Sequence, residues 1–188
     1  FCAFLRVHLT LHAANVSRRI KIFISANNKS HRMVLVFSDK PKQVGATLYS
    51  PCPKWESFRV DDAVVLFEPN VYQGDGTENR VNICISSADL VARMREFEKQ
   101  LDGSVCTCIK QRESCEHVKA KLFWDRVHFF NANNERVNRP PKLAGYTCNI
   151  VCAIKGKWNS HAQQGLSLEV TDIQLIEPRD AEYKSPFA

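Results

Sequence analysis

Between Phe4 and His12 apolar and polar residues alternate without a break: Leu5, Val7, Leu9 and Leu11 fall on one side, Arg6, His8, Thr10 and His12 on the other. Alternation with period two is the mark of a half-buried strand. Arg19 to Ser25 repeats it, with Ile20, Ile22 and Ile24 opposed to Lys21 and Phe23. After the polar turn Asn27-Asn28-Lys29-Ser30 and the basic Arg32, a strand is expected over Met33 to Phe37, so the pair reads as a hairpin with a basic tip. From Asp39 to Trp55 three prolines and Gly45 predict an irregular connection with one short strand around Ala46 to Tyr49. Strands are expected again at Ala63 to Phe67 and Val81 to Ile85, divided by the turn Gln73-Gly74-Asp75-Gly76.

One helix is expected. Ser86 and Asp89 have the spacing of a capping box, Leu90, Met94, Phe97 and Leu101 recur at helical intervals, and Gly103 stands where a C-terminal cap belongs. Its other face carries Arg93, Arg95, Glu96, Glu98 and Lys99, an ordinary amphipathic helix that packs on a sheet. Three long strands follow, Val118 to Phe130, Tyr146 to Trp158 and Gly165 to Ile176, joined by polar loops. The order of strands, one helix and strands, with no internal repeat, predicts a mainly β Greek-key barrel with one inserted helix. It is expected as a single domain over 1–188: strands within 4–85, helix 87–101, a Cys/His loop at 104–117, strands within 118–176 and a short tail, 177–188.

Composition narrows the class. With 44% hydrophobic residues and 24% charged ones, the chain has the apolar surface for one core and no long disordered region. No apolar stretch reaches the roughly 18–20 residues of a membrane span, because Arg6, His8 and His12 interrupt the apolar N-terminal run, which also lacks the basic start and cleavage site of a signal peptide. No membrane association is expected. The net charge of +6 is unevenly spread: residues 1–60 carry ten Lys/Arg against two acids, 61–104 four against nine, and 105–188 twelve against nine. Basic flanks around an acidic middle fit a one-sided positive face, although a solvated surface would look similar.

The search for catalytic chemistry returns nothing. There is no phosphate-binding glycine loop, no G-x-G-x-x-G, no G-x-S-x-G and no H-E-x-x-H, so no enzyme is expected. The sharpest local cluster is Cys106-Thr-Cys108 followed by Cys115-Glu-His117, whose side chains are zinc-ligand types. The spacing C-x-C-x6-C-x-H departs from known fingers and knuckles. Structural zinc, a disulfide and uncoordinated thiols all remain open for it. Most of the eight cysteines read as free thiols, which places the chain in a reducing, intracellular setting.

Proteins that hold single strands need cations for phosphates and flat rings for bases. This chain combines them repeatedly: Lys21 with Phe23; Lys54, Trp55, Phe58 and Arg59; Lys155, Lys157 and Trp158 at a strand end. The loop 131–145 adds Arg136, Arg139 and Lys142. A Trp at a strand end is more often packing than a base platform, so each cluster counts for little alone.

The segment Leu143 to Ile176, with Gly145, Trp158 and the run Gly165-Leu166-Ser167-Leu168 in order, resembles the closing hairpin of OB-fold single-stranded DNA-binding proteins from phages and large DNA viruses. The resemblance covers about a fifth of the chain. It implies an OB-like barrel and a protein that coats exposed DNA, or RNA, with little sequence preference, self-associating along the strand at a nuclear or viral replication site. The acidic C-terminal tail of that group is replaced here by Glu182-Tyr-Lys-Ser-Pro-Phe187-Ala, which puts tail-mediated recruitment of partners in doubt. Two rival readings are a viral coat protein with a jelly-roll sandwich, which would carry a highly basic arm, and a secreted disulfide-bonded sandwich glycosylated at Asn15 or Asn28.

Overall fold

A computed structural model of the chain describes residues 33–71, 78–113, 115–160 and 163–178. They belong to one compact unit, Arg32–Ala188, so the expectation of a single domain over 1–188 reaches beyond them. The strands expected at 4–12 and 19–25, the turn at 73–76, nearly all of the 177–188 tail, and Lys21, Phe23 and Arg32 lie outside the described residues.

The elements in chain order are β1 (Lys42–Val44), β2 (Thr47–Val65), β3 (Asn70–Val71), β4 (Arg80–Ser86), α1 (Ala88–Glu98), β5 (Ile109–Arg112), β6 (Cys115–Phe123), β7 (His128–Phe130), β8 (Arg136–Val137), β9 (Tyr146–Ser160) and β10 (Gln163–Pro178). Five of them close a ring. β2 pairs with β4, β4 with β6, β9 with both β2 and β10, all antiparallel, and the parallel pairing of β6 with β10 completes the circuit. The described residues are thus mainly β with one helix, as the alternation predicts, but the ring is not a regular barrel. Two seams are short: Val64↔Ser86 and Val65↔Ile85 join β2 to β4, and Glu169↔Lys121 and Val170↔Leu122 join β10 to β6. The β9–β10 hairpin, by contrast, is paired from Gln163↔Ser160 to Pro178↔Tyr146.

Strict alternation carries β4: Val81, Ile83 and Ile85 are buried and face Val60, Leu122, Ile150, Ile154 and Ile173 in a common core. The helix begins one residue later than the capping box implies. Ser87 is the N-cap, its hydroxyl accepting from the Leu90 amide at 3.3 Å, and the helix ends at Lys99 without reaching Gly103. Leu90, Val91, Met94 and Phe97 enter the core, each contributing about 1.5–3 kcal/mol. That outweighs the exposed ion pairs Arg93–Asp89 and Lys99–Glu96, worth about 1 kcal/mol or less.

Three expectations are corrected. Met33–Phe37 is not a strand: Leu35 N donates to Gln100 Oε1 and Gln100 Nε2 to the Met33 carbonyl, both at 2.9 Å, so a side-chain amide holds the segment in place of a ladder. The stretch 39–55 is no loose connection. It folds into β1 and the first half of a long strand, because the prolines fall where the register with β9 jumps from Pro51↔Gly156 to Glu56↔Ile154. A bulge tolerates the missing amide of proline and bends the strand. The strand expected over 118–130 divides at the turn 124–126, where β10 exchanges β6 for β7 as its parallel neighbour.

Candidate nucleic-acid interface

The β2 bulge sets residues 52–55 against the single residue Lys155 of β9 and turns Trp55 outward, leaving it 62% exposed. Lys155 Nζ lies 3.1 Å from the centroid of the Trp55 ring, a cation–π contact that covers one face and leaves the other to solvent. Lys54 precedes it, exposed and without a partner among the described residues. Tyr49 lies against Gly156, where an added Cβ would come within 2.8 Å of the ring. Across β9 and β10 the same surface continues through Ser167 and Glu169 to Lys121, Phe123 and Arg126, which with Tyr49, Pro51, Trp55 and Lys155 line a groove of about 370 Å³.

The polar groups of this groove are mutually arranged. Lys121 Nζ donates to Ser167 Oγ at 2.8 Å, and Tyr49 lines the groove with them. Glu169 lies between Lys155 Nζ at 3.8 Å and Arg126 Nη1 at 3.9 Å. Burial lowers the pKa of Lys121 to about 8, with Arg80 adding to the shift and Glu169 opposing it. Burial lowers that of Lys155 as well, Glu169 again opposing. Tyr49 is raised, first by burial.

The β6–β7 turn divides this groove from a second one. Arg126 covers the Phe123 ring at 3.8 Å. Its neighbour Trp124 stacks on Phe129, with centroids 6.4 Å apart and planes 24° apart, and carries the guanidinium of Arg139 at 3.4 Å. Trp124 and Arg139, with Pro69, Val71, Glu78, Asn79 and Val81, line a recess of about 540 Å³. Cations thus lie over three rings: Lys155 over Trp55 and Arg126 over Phe123 at the first groove, and Arg139 over Trp124 at the second.

The expected site residues separate accordingly. Trp55 and Lys155 meet at the first groove and Arg139 lines the second, whereas Lys54, exposed next to Trp55, lines neither. Arg136 is exposed on β8, opposite Phe130. Lys157 turns elsewhere, its Nζ 5.1 Å from the Phe37 ring. Trp158 is half-buried with its ring laid on Gly165, whose Cβ would stand 2.6 Å from Cζ2, so one face serves packing. Phe58 belongs to the core, 5.5 Å from Phe97, and Arg59 pairs with Asp61. Tyr49, Lys121, Phe123, Trp124, Arg126, Ser167 and Glu169 were not expected. The run Phe123-Trp-Asp-Arg126 is an aromatic-basic cluster like the others, and Lys119 and Lys121 alternate with Val118, Ala120 and Leu122, so part of the signal was present.

Cys106, Cys108, Cys115 and His117 are not gathered, and no group of three or more His, Cys, Asp or Glu among the described residues is placed to hold a metal ion. The reason is an extended hairpin. Cys115 faces Arg112 near its turn and His117 faces Lys110, whereas Cys106 lies beyond its other end, its amide bonded to the Gln164 carbonyl at 2.7 Å. Cys106 stands three positions before β5 begins, and the four residues of β5 lie between it and the turn that precedes Cys115. Cys108 is held instead by its amide, which donates to Glu98 Oε1 at 3.0 Å. Cys52, Cys84, Cys106, Cys108, Cys115, Cys148 and Cys152 are all free. Among the described residues no helix is long and apolar enough to cross a membrane.

No family model matches this chain, and no curated protein sequence matches it. Among solved structures it is similar to the crystal structure of gp2.5, a single-stranded DNA-binding protein encoded by bacteriophage T7, with 12% identity and a TM-score of 0.44 over 65% of this chain and 92% of that one.

Proposed function

We propose that this chain binds single-stranded nucleic acid through the surface formed by β2, β9, β10 and the β6–β7 turn, coats exposed strands, and catalyses no reaction. The observation that carries this reading is the 62% exposed Trp55 ring with Lys155 Nζ 3.1 Å from its centroid, in the same groove as the Phe123 ring and the Arg126 head group 3.8 Å from it. Stacking on such rings is worth about 1–3 kcal/mol per base and tolerates any base, while the adjacent cations meet the phosphates. Duplex DNA keeps its bases stacked inside and offers these rings nothing. DNA is the strand we favour over RNA, and the seven unpaired thiols accord with an intracellular, reducing site of replication.

The test is fluorescence anisotropy of a labelled oligo-dT of about 30 nucleotides at two salt concentrations, with a matched duplex as competitor. Tight binding that weakens with salt and resists the duplex is the expected result. No binding at micromolar protein in low salt would overturn the proposal.

A further inference from the structure

Glu169 stands where a surface for phosphates has no use for negative charge. Its side chain is 10% exposed and lines the groove together with Trp55 and Phe123. The neighbouring cations, at 3.8 and 3.9 Å, neutralise it from beyond hydrogen-bond distance, and no donor among the described residues is bonded to the carboxylate. An ionised carboxylate offers about four acceptor positions, and buried polar groups are ordinarily bonded. Elsewhere in the groove Lys121 and Ser167 satisfy one another. Glu169 is thus left as an acceptor on the lining of a groove that also holds the Trp55 and Phe123 rings.

A phosphate is repelled by that carboxylate, and so is a carbonyl edge. An amino group is complementary to it, as when Glu or Asp accepts from the N4 amine of cytosine. Resting on the strand-binding proposal above, we infer that this groove is a single-base pocket in which Glu169 favours bases carrying an exocyclic amino group, cytosine among them, over thymine and uracil. Thymine presents carbonyls on either side of its one N–H, and one of them must face the carboxylate. The preference acts at one base of a strand held otherwise by stacking and charge.

The experiment compares (dC)8 with (dT)8 by anisotropy at one salt concentration, for the full chain and for Glu169→Gln. The native chain should bind (dC)8 about tenfold more tightly, within the range of one good side-chain-to-base pairing. Glu169→Gln removes a negative charge and should tighten both, so the ratio is the readout, and it should fall to about one. Equal affinity of the native chain for both oligomers overturns the pocket and leaves strand binding standing. A ratio that persists in Glu169→Gln overturns the role of Glu169. Failure of both oligomers and of oligo-dT alike removes the strand-binding proposal itself. The native ratio needs no variant, and a melting curve verifies that Glu169→Gln folds.

Discussion

Replacing Gly156 by alanine tests the close approach on which the interface is built. A Cβ at this position would stand 2.5 Å from the Ser50 carbonyl oxygen and 2.8 Å from both Cζ and Oη of Tyr49. Ordinary contact begins near 3.4 Å, so roughly 0.9 Å must be found against a backbone atom that no rotamer change can move. Either β2 and β9 part at the Pro51↔Gly156 pair, or the chain buckles around the methyl group and Tyr49 leaves its seat. Overpacking of this kind costs about 1–3 kcal/mol. For a domain of this size each kcal/mol lowers the melting temperature by about 2–4 °C, so Gly156→Ala should melt about 2–12 °C lower. The assay is a thermal melt followed by far-ultraviolet circular dichroism, with strand affinity measured below the transition. Affinity should fall too, because Tyr49 forms one wall of the groove. A variant that melts within about a degree of the native chain would refute the reasoning, since the contact between Tyr49 and β9 would not exist as described.

Trp55→Ala should weaken oligo-dT binding by roughly five- to 150-fold, the equivalent of about 1–3 kcal/mol, while leaving the melting temperature nearly unchanged, because the ring is 62% exposed; unchanged affinity would remove Trp55 from the interface. Lys121 titrates at about 8 in the fold against 10.5 unfolded, so the unfolded chain holds the extra proton between those values and this group makes stability rise with pH across that window. In the folded chain the groove loses this positive charge around pH 8, so the salt dependence of strand binding should flatten between pH 7 and 9, and Lys121→Met should abolish that change. In a thiol titration without denaturant the exposed Cys115 should react first, whereas Cys148 and Cys152, whose thiols burial pushes up to about 12, should react only on unfolding. Fewer than seven reactive thiols after denaturation without reductant would contradict the free cysteines of the described residues.

Local periodicity carried the sequence a considerable way. Val81, Ile83 and Ile85 alternate into the core, Leu90, Met94 and Phe97 return at helical spacing, and the two arms of the β9–β10 hairpin were legible within a few residues, because each of these signals lies within neighbouring positions of the chain. Two residues of the first groove, Trp55 and Lys155, stood among the basic-aromatic clusters for the same reason. What the sequence left undetermined was everything that depends on partners far apart. Pro51 and Pro53 argue against a strand until β9 supplies a ladder whose register jump accommodates them. Phe58 and Trp55 look alike in sequence, and only the bulge sends one to solvent and the other against Phe97. Glu169 and Lys121 are 48 residues apart and become neighbours when β6 and β10 close the ring in parallel. The cysteines and His117, close in sequence, are drawn apart by an extended hairpin. Alternation states which side of a strand is buried, but the hydrogen-bonded register between distant strands decides which exposed side chains share a groove.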